Sequence, residues 1–205
     1  SPAFVGNRQI GALAYSFNRF PFSDYWWGGI SPISLMAEEA KSGRESSGTA
    51  KVFNYERMLF EPIAVGIRSI PGLESLVGGK FMVSTSSTRE ASLAAAKTVL
   101  KAGMPIVADL IEWTDEKGET TTVSAMGTIT YVDDDGKVFA FGHPFLNSRN
   151  VVYGFRTAEI MGTVYSQEIS YKLGGRTSEV LGVINLDAAY GIYGSTSIDE
   201  LKNLH

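Results

Sequence analysis

Apolar and polar positions alternate along much of this chain in short runs, and glycine-rich or polar clusters punctuate them. A period of two suits a strand with one buried face, because successive side chains point to opposite sides. The clearest example is Gly127-Thr-Ile-Thr-Tyr-Val132. Asp133-Asp134-Asp135-Gly136 follows it as a turn, since Asp and Gly tolerate the positive φ of a tight hairpin. Lys137 to Gly142 then runs back as a second strand and delivers His143 at its end, where Pro144 forbids further ladder pairing.

The same pattern predicts a hairpin at the start, with Ala3-Phe4-Val5 and Gln9 to Tyr15 joined by Gly6-Asn7-Arg8. Further strands are expected around Phe60 to Gly66, at Lys80 to Val83, Pro105 to Trp113 and Thr120 to Val132. Beyond Asn147 they are expected at Val151–Phe155, Glu159–Tyr165, Glu168–Lys172, Glu179–Asn185 and Ala189–Tyr193, with Leu173 to Thr177 as a turn. Strands recurring every ten residues or so, about the interval of sandwiches and barrels, predict a mainly β fold.

Two stretches break the pattern toward a helix. Ser31 to Lys41 has Ser31 as N-cap, Pro32 at the first position and Ser42-Gly43 as the stop, with Ile33, Met36, Ala37 and Ala40 facing inward. Glu90 to Lys101 has strong helix propensity and is ended by Gly103. The aromatics of Phe17 to Gly29 read as a loop whose rings cover the sheet. Ser42 to Thr49 is polar and glycine-rich, so it divides the chain into an N-terminal piece, 1–45, and a β-barrel, 46–205.

Composition narrows the function classes. The chain has 205 residues, 44% of them hydrophobic and 20% charged, ordinary for a soluble globular protein. A net charge of −4 without a Lys/Arg cluster argues against nucleic acid. There are no cysteines, which removes disulfides, thiolate zinc sites and cysteine nucleophiles. No apolar run reaches the roughly 18 residues of a membrane-spanning helix. No cofactor motif is present, and Asp133-Asp134-Asp135 lacks the alternating spacing and distal Glu of a calcium loop. Position 1 is Ser and not Met, so the chain reads as a processed or trimmed piece.

The candidate for chemistry is His143, one of two histidines; the other is His205. An imidazole on a rigid hairpin end can serve as a general base. Asp187 and Asp109 are candidates to orient it. Glu38-Glu39 and Glu116 to Glu119 read as solvated faces.

Two segments carry a family resemblance. Gly127-Thr-Ile-Thr-Tyr-Val-Asp, the Phe-Gly142-His143 and the later Gly191-Ile-Tyr-Gly194 resemble the histidine-bearing half of the SpoIVB-type serine peptidases. Ser1-Pro-Ala-Phe-Val-Gly-Asn-Arg-Gln-Ile-Gly-Ala-Leu-Ala-Tyr15 is similar to the segment after that family's nucleophile motif, Gly-Met-Ser-Gly-Ser-Pro. The resemblance implies a chymotrypsin-like antiparallel β-barrel and a site in the cleft between two barrels. It implies His143 as general base toward a serine two residues before Ser1, with no cofactor and a polypeptide substrate or protein partner. Of the catalytic set only His143 lies in this chain, so another segment or chain would complete the site. The post-nucleophile segment also precedes the histidine, the reverse of the usual order, although a triad is defined by geometry. Ser1 itself, with its α-amine as base, is a weaker alternative because Pro2 follows it. The second reading is an inactive relative, a structural or protein-binding module of an exported bacterial assembly. Both readings imply an extracytoplasmic location, in the periplasm, cell envelope or medium.

Overall fold

The computed structural model describes residues 1–16, 28–43, 63–66, 84–86, 98–114, 116, 120–164, 171–176 and 179–197. In chain order the elements are β1 (Pro2–Val5), β2 (Arg8–Ser16), β3 (Gly28–Pro32), α1 (Ile33–Ser42), β4 (Ile63–Gly66), β5 (Ser84–Ser86) and β6 (Pro105–Thr114). They continue with β7 (Thr120–Val132), β8 (Lys137–Ala140), β9 (Arg149–Val164), β10 (Tyr171–Arg176), β11 (Gly182–Ala188) and β12 (Gly191–Ser195).

Six of these strands close a ring. Each pairs antiparallel with the next in the order β6, β7, β8, β12, β11, β9, and β9 pairs with β6 to complete the barrel. Three hairpin-connected strands, β6 to β8, are thus flanked by a fourth, β9, lying beside the first, which is a Greek-key order. The alternation seen in the sequence fills the ring. Ile106, Ala108, Ala125, Ile129, Val138, Ala140, Tyr153, Phe155, Ile184 and Ile192 form one buried cluster, while the residues between them face outward. β10 extends β9, and β4 pairs with β7 and in parallel with β5.

The N-terminal strands form a separate antiparallel sheet, β1-β2-β3, which leads directly into α1. This unit covers one outer wall of the barrel. Met36 of α1 and Ala12 of β2 pack with Phe139, Leu186, Ala188 and Tyr193, and Ile33, Ala37, Ala40 and Tyr190 flank them. Phe139 and Tyr193 meet edge to face at 5.5 Å. Two cations finish the helix: Lys137 Nζ donates to Ala40 O at 2.7 Å and Arg149 Nη2 to Gly43 O at 2.8 Å. Positive groups on the last carbonyls also suit the negative end of the helix dipole.

Several expectations need correction. The helix starts at Ile33; Pro32 is its N-cap, with extended backbone, and Ser31 belongs to β3, so Ser31 caps nothing. Glu39 is fully buried, not a solvated face, because it lies on the side of α1 pressed against the barrel. Val151–Phe155 and Glu159–Tyr165 belong to one 16-residue strand, β9. Leu173-Gly174-Gly175-Arg176 continues β10, paired with β9 across a register shift between Leu173 and Gly174, and makes no turn. β8 stops at Ala140, two residues before the expected end. Residues 98–100 are not helical. The expected Phe17–Gly29 loop ends earlier, since Gly28 and Gly29 open β3; its residues 17–27, the expected strand at Lys80–Val83, the body of the Glu90–Lys101 helix and most of the linker lie outside the described residues.

Candidate functional site

The corner that presents His143 is built from a backbone conformation that ordinary residues avoid. Gly142 N donates to Ala140 O at 2.8 Å, a bond across two residues that closes a γ-turn with Phe141 at its centre. Phe141 has φ 69° and Gly142 has φ 82°. A γ-turn with positive φ at its centre is rare and strained, and a bulky side chain there is an outlier. Such a conformation costs on the order of 1–3 kcal/mol and persists only where surrounding structure over-determines it.

That surrounding structure is identifiable. Phe141 N donates to Thr128 O at 3.1 Å, tying the turn to β7. The Phe141 ring occupies the space where a side chain at Gly127 would be. Ala12 of β2 fills the place of a Cβ on Gly142, and the buried Ser31 hydroxyl donates to Gly142 O. The turn is therefore clamped by the barrel on one side and by the N-terminal sheet on the other.

His143 itself is half-buried, and its ring lies 5.8 Å from that of Phe141. Its Nδ1 is 2.9 Å from the carbonyl oxygen of Pro144. A carbonyl can only accept, so this bond requires the proton on Nδ1 and leaves the lone pair of the neutral ring on Nε2.

The loop after His143 is organised by Asp187, at the end of β11. Phe145 N donates to Oδ1 at 2.7 Å, and Leu146 N and Ser148 N donate to Oδ2 at 2.7 and 3.2 Å. Asp187 is fully buried; burial pushes its carboxyl above the ordinary range while the loop amides pull it down. Asn147 and Arg149 take positive φ so that successive amides can converge on one carboxylate. Phe145 packs against Phe141 and Tyr153 at 6.3 and 6.0 Å.

Asp109 is placed differently. Ser124 Oγ donates to its Oδ1 at 2.6 Å and Arg156 Nε to its Oδ2 at 2.7 Å. Arg156 also reaches Glu112 at 2.5 Å, and Arg176 approaches Glu112 at 3.3 Å. The residues on either side of Asp109 in β6 include Ala108 of the barrel core, so Asp109 points outward into this ion-pair network. Of the two acids singled out in the sequence, the structure brings Asp187 to the His143 loop and binds Asp109 into a network joining β6, β7, β9 and β10.

The start of the chain lies beside the same corner. Pro2 is the cross-strand partner of Ala12, which touches Gly142. Leu13 N donates to Ser1 O at 2.7 Å, and Ser1 Oγ is 3.5 Å from Thr128 Oγ1, on the residue that holds Phe141. Ser31 and the strained Phe141 were not legible as parts of the site. The signal for Phe141 is the crowding of Gly127, Gly142 and Pro144 around it; Ser31 gave none, because a serine before proline reads equally well as a cap.

Among the described residues no group of three or more His, Cys, Asp or Glu could hold a metal, and no helix is long and apolar enough to cross a membrane. No protein-family model, curated protein or solved structure matches this chain.

Proposed function

We propose that the chain is the histidine-bearing part of a SpoIVB-like, chymotrypsin-type serine peptidase, with His143 Nε2 as general base toward a serine just upstream of Ser1. The observation that carries this reading is the clamped γ-turn at Phe141-Gly142, against which β2 and β3 of the N-terminal sheet are also packed. Strain of this kind collects where a side chain must be presented in one pose. The packing of Ala12 on Gly142 keeps Pro2 one cross-strand pair from the turn, so residues just upstream of Ser1 start from the same corner of the molecule as His143. The six-stranded antiparallel barrel and the Nδ1–H tautomer support the same assignment, since that tautomer puts the lone pair a base needs on Nε2. The substrate is then a polypeptide, and the setting is outside the cytoplasm.

The test uses the protein together with its residues upstream of Ser1. A Gly-x-Ser-Gly sequence is expected there, and a fluorophosphonate probe is expected to label its serine, with labelling lost in His143→Ala. An upstream sequence without that serine, or labelling indifferent to His143→Ala, sinks the peptidase reading. The second reading, a non-catalytic protein-binding module of an exported assembly, draws on the bond from Nδ1 to a backbone carbonyl, which also suits a structural histidine. It predicts no labelling and unchanged partner binding in His143→Gln.

A further inference from the structure

The Pro144–Phe145 peptide bond stands between His143 and Asp187. Its carbonyl oxygen is 2.9 Å from His143 Nδ1, and its N–H donates to Asp187 Oδ1 at 2.7 Å. A planar trans peptide carries its C=O and N–H on opposite sides, so one group can accept from a ring on one face and donate to a carboxylate on the other. We propose that Asp187 is a positioning residue that acts on His143 through this peptide, in the sequence imidazole N–H, carbonyl, amide N–H, carboxylate.

Three features of the site fit this role. The carboxylate is sealed from water and grips the amides of Phe145, Leu146 and Ser148, so the intervening peptide cannot rotate without breaking several bonds at once. The amide of Phe145 is drawn toward a carboxylate, which polarises its peptide and makes the Pro144 oxygen a stronger acceptor. Hydrogen bonds in series strengthen one another by roughly 10–30% each. The stack Phe141, Phe145, Tyr153 fixes the same loop through its side chains, and the His143 ring leans on the first member. The consequence for His143 is a locked Nδ1–H tautomer and a more basic Nε2. An acid can thus tune this histidine without touching its ring. The role deepens the reading of His143 as a base, but it can be measured without any catalysis.

His143 and His205 are the only two histidines, so ring resonances in a nuclear magnetic resonance titration are readily assigned. In Asp187→Asn the titration midpoint of His143 is expected to fall by about half a unit or more, a fraction of the shift a directly paired charge produces. The Nδ1–H tautomer is expected to lose population, and His205 is expected to be unchanged. A folded Asp187→Asn protein with the wild-type midpoint and tautomer overturns the proposal. A second measurement needs no substitution. In the wild-type protein the Phe145 amide proton is expected to move downfield as His143 takes its proton, with the same midpoint; an amide that stays flat through that titration overturns the proposal as well. In Asp187→Ala, added formate is expected to enter the vacated amide cradle and restore the His143 tautomer, and failure to do so in a folded variant counts against it. Loss of the peptidase reading in the labelling test leaves these ring measurements standing, so the two ideas fail separately.

Discussion

Gly142 shows how much can depend on one missing side chain. Its φ of 82° lies where an L-residue is strained, and a Cβ there would run into Ala12. Gly142→Ala is therefore expected to lower stability by about 2 kcal/mol or more, from left-handed backbone strain and overpacking together. Urea unfolding would check it, and a loss under half that size would mean that the N-terminal sheet yields easily at this contact. Ser31 acts at the same point by a different means, since its hydroxyl satisfies the Gly142 carbonyl. At the residue scale the sequence spoke clearly only where chemistry is unusual. A histidine between glycine and proline stood out, whereas a serine serving a carbonyl 111 residues away could not be recognised, because nothing local marks it.

Elements are joined by buried carboxyls. Glu39 accepts from Tyr190 N at 2.9 Å and from Tyr193 Oη at 2.7 Å through Oε2, and its buried Oε1 has no partner among the described residues. Burial pushes the Glu39 carboxyl above its ordinary range, against the pull of the Tyr193 and Tyr190 bonds. The folded state then holds this proton more tightly than the unfolded chain does. Stability from Glu39 is present below its ordinary pKa of 4.5 and is lost as pH rises through the raised folded value. Each pH unit inside that window costs up to about 1.4 kcal/mol. Glu39→Gln keeps an acceptor for the two tyrosine bonds, and its stability measured against pH is expected to be flatter than wild type above pH 4.5. A parallel pair of curves would show that Glu39 does not titrate on unfolding. On the barrel's outer wall, Arg156→Met would leave Asp109 without its main cation and is expected to cost about 3 kcal/mol, again read by denaturant unfolding. Strand existence was largely legible from alternation, and strand limits were not. β9 runs unbroken through Gly154 and Gly162, and β10 through Gly174-Gly175, because the glycines lie in paired strands and not in turns. Glu39 was misread for a related reason: an acid on a helix looks solvated until the helix is seen to dock on tyrosines.

At the scale of the whole molecule, a closed ring and an open sheet coexist. Every barrel strand is paired on both sides, β7 and β9 with a third strand as well, while β1 and β3 are the outer strands of the three-stranded sheet. Exposed apolar side chains collect on that sheet, with Phe4 53%, Val5 67% and Leu13 50% accessible. Amide hydrogen exchange is expected to be slowest in β6, β7 and β9 and clearly faster in β1 and β3, as local opening follows the extent of buried packing. Equal protection in the two sheets would mean that they open as one unit. The barrel was visible in the sequence as a mainly β pattern, and its order was not, because pairing β6 with β9 depends on contacts between residues some fifty positions apart, as in Ile106 with Thr157.

The clamp on Gly142 also says something about the sequence of events in folding. Ser31 and Gly142 are 111 residues apart, and Ser1 and Thr128 are 127 apart. Contacts that close such long stretches of chain form slowly, because their loop entropy must be overcome first. The turn at Phe141 can be held in its strained form only after both the barrel and the N-terminal sheet exist and have met. The Phe141 turn is therefore expected to set only after the barrel and the N-terminal sheet have met, so a folding chain would hold its barrel before it held His143 in this pose.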